Sequence, residues 1–344
     1  MFDQMYDKRD PDVLDSPCVA GLDRRMTFTA KSSRSRTRHT GAAAVALTAV
    51  AALLAGCSSS DGTSDNPLDG EKAEAGTVVV GSNNFAESTL LADIYGEALR
   101  AKGLKVDYKH NIGSRETTYG LMKNGSITVL PEYNGSLLAY LDPKAGQESA
   151  EAVNEAAKAK LDKSLTLLES SPAEDKDSVS VNAATAKKYG LTDGSTLADL
   201  KEAAPELVIG GSPEFQTRQQ GLKGLETVYG LKFKSFKALD AGGPLTQAAL
   251  TQNEVQAADV FTTDPTIVKE KFVVLKDPEN LFGFANVTPL VRKEELPEEG
   301  VEALNAVSAK LDTETLLDLD AQVQLEKKDP LDVAKAWLKS AGLD

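Results

Sequence analysis

The chain has 344 residues, 41% hydrophobic and 26% charged, with a formal net charge of −14. That is globular composition at the length of one large or two medium domains, and the acidity, with no basic stripe, argues against nucleic acid as a partner. Two cysteines, Cys18 and Cys57, and two histidines, His39 and His110, offer too little for cysteine–histidine catalysis or for a thiolate or histidine metal centre, so no metal and no cofactor are expected.

The N-terminus reads as targeting. Lys31, Arg34, Arg36 and Arg38 precede an apolar run, Gly41 to Ala55, which is short for a membrane span and suited to a signal-peptide core. It ends in Leu54-Ala-Gly-Cys57, which resembles the lipobox of bacterial lipoproteins; the resemblance implies that Cys57 is the first mature residue and carries lipid. Residues 1–25 look like no signal, Met26 is a plausible start, and the Arg24–Arg25 pair lies far from the apolar run. With 1–56 removed, 30 basic (38 − 8) and 46 acidic (52 − 6) residues remain. Residues 57–76, rich in Ser, Asp and Gly, read as a lipidated cysteine and a flexible tether of roughly 25 Å reach.

The folded part then follows in order. "TVVVG" from Thr77 is a short buried strand. Asn84 and Glu87 have capping-box spacing, and Leu90, Leu91, Ile94, Tyr95, Ala98 and Leu99 make one helical stripe that Gly103 ends. "LKVDYKH" alternates as a strand, "NIGSRETTYGLMKNG" is a loop and a helix capped by Ser114 and stopped at Gly125, and "SITVLPEYNG" is a strand expected to break at Pro131.

About 130 residues later the order recurs: "ELVIGG" as strand, a helix from Pro213 to about Tyr229 capped by Ser212, "KFKSFKAL" as strand, "DAGGPLTQAALTQN" as loop and helix, and "EVQAADVFTTDP" as a strand breaking at Pro265. The loops match in kind, "GSNNF" with "GSPEF" and "LPEYNG" with "FTTDP". Strand-to-helix junctions in α/β sheets gather at the carboxyl ends of the strands, where helix N-termini present free N–H groups. Two such sets predict two lobes with a binding cleft between them. From Leu290 onward the chain reads as helical, with Thr313 and Asp329 as caps, Pro330 at a first helical position and Trp337 as a packing anchor.

Residues 78–141, "GGSPEFQTRQQGLKGLETVYGLKF", "GPLTQAALTQNEVQAADVFTTDP" and "FANVTPLVRKE" resemble, in that order, the substrate-binding proteins of osmoprotectant ABC transporters, the group that binds glycine betaine, choline and carnitine. The resemblance spans nearly all of residues 77–344. It implies the α/β type II periplasmic-binding-protein fold: two lobes, each with a central, mostly parallel sheet, joined by two crossover segments near "DSVSVNAAT" and "NVTPLVR". Lobe one would hold 77–179 and 287–344, and lobe two 180–286.

The resemblance further implies an aromatic cage for a quaternary ammonium group, which has no N–H to donate and must be held by ring faces. It implies a carboxylate-binding arginine at Arg218, placed one turn into the helix from Pro213, whose N-terminus also favours an anion. The chain departs from the family pattern at Thr128 and Leu130, where Asp-x-Tyr is common, at Phe261 in place of a cage tyrosine, and at Phe284 or Ala285. Loss of two rings is worth about 2–4 kcal/mol, so tight glycine betaine binding is not expected, and a betaine with an additional ring, such as ergothioneine, stays open. Candidate ligand-binding residues are Ser82, Asn83, Asn84, Ser114, Arg115, Thr117, Leu130, Glu132, Phe215, Arg218, Phe261, Thr262, Thr263 and Asn286. Tyr133 and Asp264 are weighed with them as cleft or packing and cap residues, and His110 reads as a solvated strand end.

The expected function is an extracytoplasmic, lipid-anchored, monomeric receptor that hands a small solute to an ABC permease. A ligand-sensing surface lipoprotein without a transport role, or an enzyme on the same fold, are the alternatives.

Overall fold

The structure is a computed structural model that describes residues 74–146 and 149–344. The basic and apolar N-terminal segments, Cys57 and most of the tether lie outside the described residues.

The elements in chain order are β1 (Thr77–Gly81), α1 (Ala86–Ala101), β2 (Lys105–Lys109), α2 (Arg115–Asn124), β3 (Val129–Tyr133), α3 (Asn134–Leu141), α4 (Ala150–Lys160) and β4 (Leu165–Leu167). Next come β5 (Asp177–Val181), α5 (Ala183–Tyr189), β6 (Val208–Gly211), α6 (Leu222–Tyr229), β7 (Ser235–Ala238), α7 (Pro244–Thr251), β8 (Ala257–Phe261), α8 (Thr266–Glu270) and β9 (Val273–Val274). β10 (Val287–Arg292), α9 (Glu298–Ser308), α10 (Thr313–Gln324) and α11 (Pro330–Ala341) complete the chain.

They form two five-stranded sheets, ordered β2-β1-β3-β10-β4 and β7-β6-β8-β5-β9. In each, three parallel strands are continued by an antiparallel one, β10 beside β3 and β5 beside β8. The duplicated order read from the sequence is therefore a duplicated topology, β2-β1-β3 matching β7-β6-β8. The chain passes from the first sheet to the second between Leu167 and Asp177 and returns before Val287, and the two passages touch at a Glu174–Asn286 bridge.

Each sheet has an apolar core on both faces, and the buried central strand β1 of the first reads as a continuous hydrophobic run. Along β1, Val78 and Val80 enter one core and Val79 the other, as the period of two requires. The stripe of α1 joins Val78, Val80 and Val129 in a core closed by α9, α10 and α11, so the C-terminal helices return to the first sheet. Trp337 packs half-buried against that core. The second sheet has its own cores, around Ile209, Phe215 and Leu225 on one side and Leu250, Val255 and Val260 on the other.

Four local expectations are corrected. Pro131 does not end β3: it sits in mid-strand opposite Pro289 of β10. Two residues without N–H can face each other only at a position where the ladder needs no bond between them. The stretch from Pro213 to Tyr229 is not one helix but a single 3-10 turn, Pro213–Gln216, and then α6. The break is steric, because the chain folds back so closely that a Cβ on Gly221 would lie 2.1 Å from the Phe215 carbonyl oxygen. The Asn84–Glu87 capping box does not form; α1 starts one residue after Phe85, and the Glu87 carboxylate is engaged elsewhere. Asp312, not Thr313, caps α10, accepting from the Thr315 amide at 2.8 Å.

Candidate functional site

A cavity of about 60 Å³ lies between the two sheets. Its walls come from the segments that follow the six parallel strands: Asn83 to Phe85 after β1, Ser114 and Arg115 after β2, Tyr133 and Ser136 at β3, Ser212 and Glu214 after β6, Ala241 after β7, and Asp259 and Phe261 at the end of β8. This is the placement expected of open α/β sheets, where side chains at strand ends reach past the core. A second cavity of about 400 Å³ adjoins it, sharing Asn84, Phe85, Ala241 and Phe261 and extending to Glu87, Gln247, Thr263 and Gln324.

Three aromatic rings meet at this place. Phe85 lies 5.0 Å from Phe261 across the cleft, ring centre to ring centre, and 6.0 Å from Tyr133. One ring comes from each sheet's loop set and the third from β3, so ring faces are available from both lobes.

The two arginines are each held by a carboxylate of the first lobe. Arg115 binds the buried Glu132 with two forked contacts, Nε to Oε1 at 3.0 Å and Nη2 to Oε2 at 2.9 Å. Arg218, in the turn between the 3-10 segment and α6, reaches across the cleft to Glu116, with Nη2 at 2.9 Å from Oε2 and 3.0 Å from Oε1. Such bidentate pairs are the strong geometry for guanidinium and carboxylate.

Acidic groups outnumber these cations. Asp175, Asp177 and Asp259 line the cavity, and burial pushes all three carboxyls up from the usual aspartate range. Glu87, buried beneath Phe85 and Tyr133, accepts the Thr263 hydroxyl of the opposite lobe at 2.6 Å and the Tyr133 hydroxyl at 2.5 Å. Burial, followed by the neighbouring Asp320, raises its carboxyl well above the ordinary glutamate value.

Of the sequence candidates, the structure brings together Asn83, Asn84, Ser114, Arg115, Arg218 and Phe261 around the smaller cavity, and Thr263 beside the larger one. Asn83 is oriented by Thr118, whose hydroxyl donates to its Oδ1 at 2.8 Å. The others lie apart. Ser82 is fully buried and accepts from the Asn111 amide. Leu130 points into the core beneath the first sheet and Phe215 into the core of the second. Glu132 reaches the site only through Arg115. Thr117 lies on α2 outside both cavities, one residue from the buried Thr118 that touches Asn83. Thr262 ties the crossover, donating to Asp175 and accepting from the Lys176 amide. Asn286 sits in the return crossover, donating to the Ser171 carbonyl. Asp264 does not lie apart: it lines the larger cavity and caps the turn into α8 through Thr266. His110 stands 3.1 Å from Asp93, away from both cavities.

Phe85 was missed because a loop phenylalanine in "GSNNF" looks like its counterpart in "GSPEF", yet one ring lines the cleft and the other is core. Asp177 and Asp259 carried a fainter signal, as acidic residues within "DSVSV" and "AADVF", two short buried strands.

Two α/β lobes of matching topology, joined by paired crossovers and closing on a cleft lined by strand-end loops, define a solute-binding protein of the periplasmic-binding type. The chain belongs to the family described as the substrate binding domain of ABC-type glycine betaine transport systems, which matches residues 76–340. It is 28% identical over 284 residues to the glycine-betaine-binding protein of Pseudomonas aeruginosa, covering 78% of this chain and 88% of that one. It is 29% identical over 280 residues to the glycine betaine-binding protein YehZ of Escherichia coli, covering 78% and 92%. The solved structure of apo YehZ superposes with a TM-score of 0.54 at 27% identity, over 78% of this chain and all (100%) of that one. A shorter match, 31% over 168 residues, is to the ergothioneine transport permease/ergothioneine binding protein EgtU of Helicobacter pylori, over 48% of this chain and 30% of that protein.

Proposed function

We propose that this protein is an extracytoplasmic receptor, anchored by lipid on Cys57 and acting as a monomer, that captures a quaternary-ammonium or betaine-like solute between its lobes and delivers it to an ABC permease. The observation that carries the reading is the convergence of Phe85, Tyr133 and Phe261 on a cleft whose walls hold more carboxyl groups than guanidinium groups. Ring faces and net negative charge suit a methylated cation that offers no N–H. The relatives named for glycine betaine and for ergothioneine support the same solute class. Arg218 is the carboxylate-binding candidate, and a solute carboxylate would take over the place of Glu116 on its fork.

The test is calorimetric titration of the purified chain with glycine betaine, choline, carnitine and ergothioneine. Saturable binding of at least one, with the solute recovered chemically unchanged, supports the reading. Absence of binding across the whole set at millimolar solute overturns it.

A further inference from the structure

The arginines of the cleft have ion-pair partners, and among the described residues the acid pair of its opposite wall has none. Arg115 and Arg218 are each neutralised by a first-lobe glutamate, Glu132 and Glu116. Asp177 and Asp259 sit on the adjacent antiparallel strands β5 and β8, in a register that places Val179 opposite Asp259 and Asp177 opposite Phe261. Directly opposed residues share a face, so both carboxyls stand on the same side of the sheet as the Phe261 ring and line the same cavity. Asp259 is 2% exposed, and its Oδ1 receives no hydrogen bond from any donor among the described residues. Burial raises both carboxyls. The Asp177 charge adds to the rise at Asp259, while Arg218 and Arg115 work against the rise at Asp177.

A buried acceptor without a donor is costly, and it is relieved only by something that enters the cavity. A methylated ammonium seated on Phe261 satisfies the charge but supplies no donor. A solute carboxylate faces the opposite situation, since it must displace a fork that is already filled. We infer that Asp177 and Asp259 are specificity-determining residues that select solutes carrying an N–H or O–H donor beside the methylated ammonium. This rests on the quaternary-ammonium reading above and narrows it: a site built around an acceptor rejects the analogue that lacks the donor more strongly than it rejects a change of size.

The experiment uses pairs of probes that differ by one donor: choline against its O-methyl ether, and N,N-dimethylglycine against glycine betaine, each titrated calorimetrically into the full chain and into Asp177→Ala/Asp259→Ala, which removes the acceptor oxygens. The donor-bearing member of each pair binds the wild type at least tenfold more tightly, and in the double variant this preference falls below threefold. Equal affinities within both pairs for the wild type overturn the inference and leave the receptor reading standing. So does a preference that persists in a double variant whose melting temperature shows it to be folded. Binding of none of the four probes overturns the inference, while carnitine and ergothioneine decide the receptor reading. The wild-type comparison decides even where the variant does not fold.

Discussion

Replacing Asp320 by asparagine isolates one buried charge at the seam between the lobes. Asp320 lies on α10, fully buried beside Glu87, with Asp175 and Asp264 as further acidic neighbours and Gln324 Nε2 donating to its Oδ1 at 3.3 Å. No lysine, arginine or histidine pairs with any of these four acids among the described residues. Burial, the largest cause, with the Asp175 and Asp264 charges behind it, pushes the Asp320 carboxyl from 3.8 up to about 7. In the unfolded chain it ionises near 3.8, so between about pH 4 and pH 7 the folded chain holds the extra proton. Stability from this group is therefore fully present below pH 4 and is lost as pH rises through 7. Three units at about 1.4 kcal/mol each amount to about 4 kcal/mol, an order-of-magnitude figure. Asparagine keeps the shape and does not titrate. Asp320→Asn should thus gain on the wild type as pH rises, by on the order of 10 °C in melting temperature between pH 4.5 and pH 8.5. Thermal unfolding followed by circular dichroism at four pH values in that range measures it. Removing Asp320 also eases Glu87, whose carboxyl it helps to raise, and that moves the difference in the same direction. A gap that stays constant across the range would refute the reasoning.

Other expectations follow from the same geometry. Phe261→Ala removes one of the two rings that face each other at 5.0 Å and should weaken a quaternary-ammonium ligand by about 5- to 30-fold, the worth of one desolvated cation–π contact; a change under twofold by calorimetry would remove that ring from the site. Glu116→Gln releases the Arg218 fork, so a solute with a carboxylate, such as glycine betaine, should bind more tightly while choline is unaffected; equal shifts for both solutes would contradict the role given to Arg218. Gly96→Ala places a Cβ 2.3 Å from the Tyr108 ring, which packs across α1, and should cost about 1–3 kcal/mol in urea unfolding; no loss would show that Tyr108 swings clear.

Short-range pattern carried the architecture. The period of two in "TVVVG", the stripe of α1, the glycine stops at Gly125, Gly230 and Gly342 and the repeated strand–loop–helix order are set by residues within a few positions of one another, and all are realised. They were enough for two α/β halves and for the loops that border the cleft, because strand ends and helix starts are local events. What those loops do with their side chains is not local. Arg218 meets Glu116 at a separation of 102 residues, and Thr263 meets Glu87 at 176. Asp177 and Asp259 become one acceptor only because β5 runs antiparallel to β8 in that register. Phe85 and Phe215, alike in their loops, part because one faces the cleft and the other a closed core. The sequence by itself determined where the binding edge lies, since periodicity and chain punctuation are written in consecutive residues. Which charges are paired, which are stranded and which rings meet was decided by packing alone, because those outcomes depend on distances between elements that no local pattern encodes.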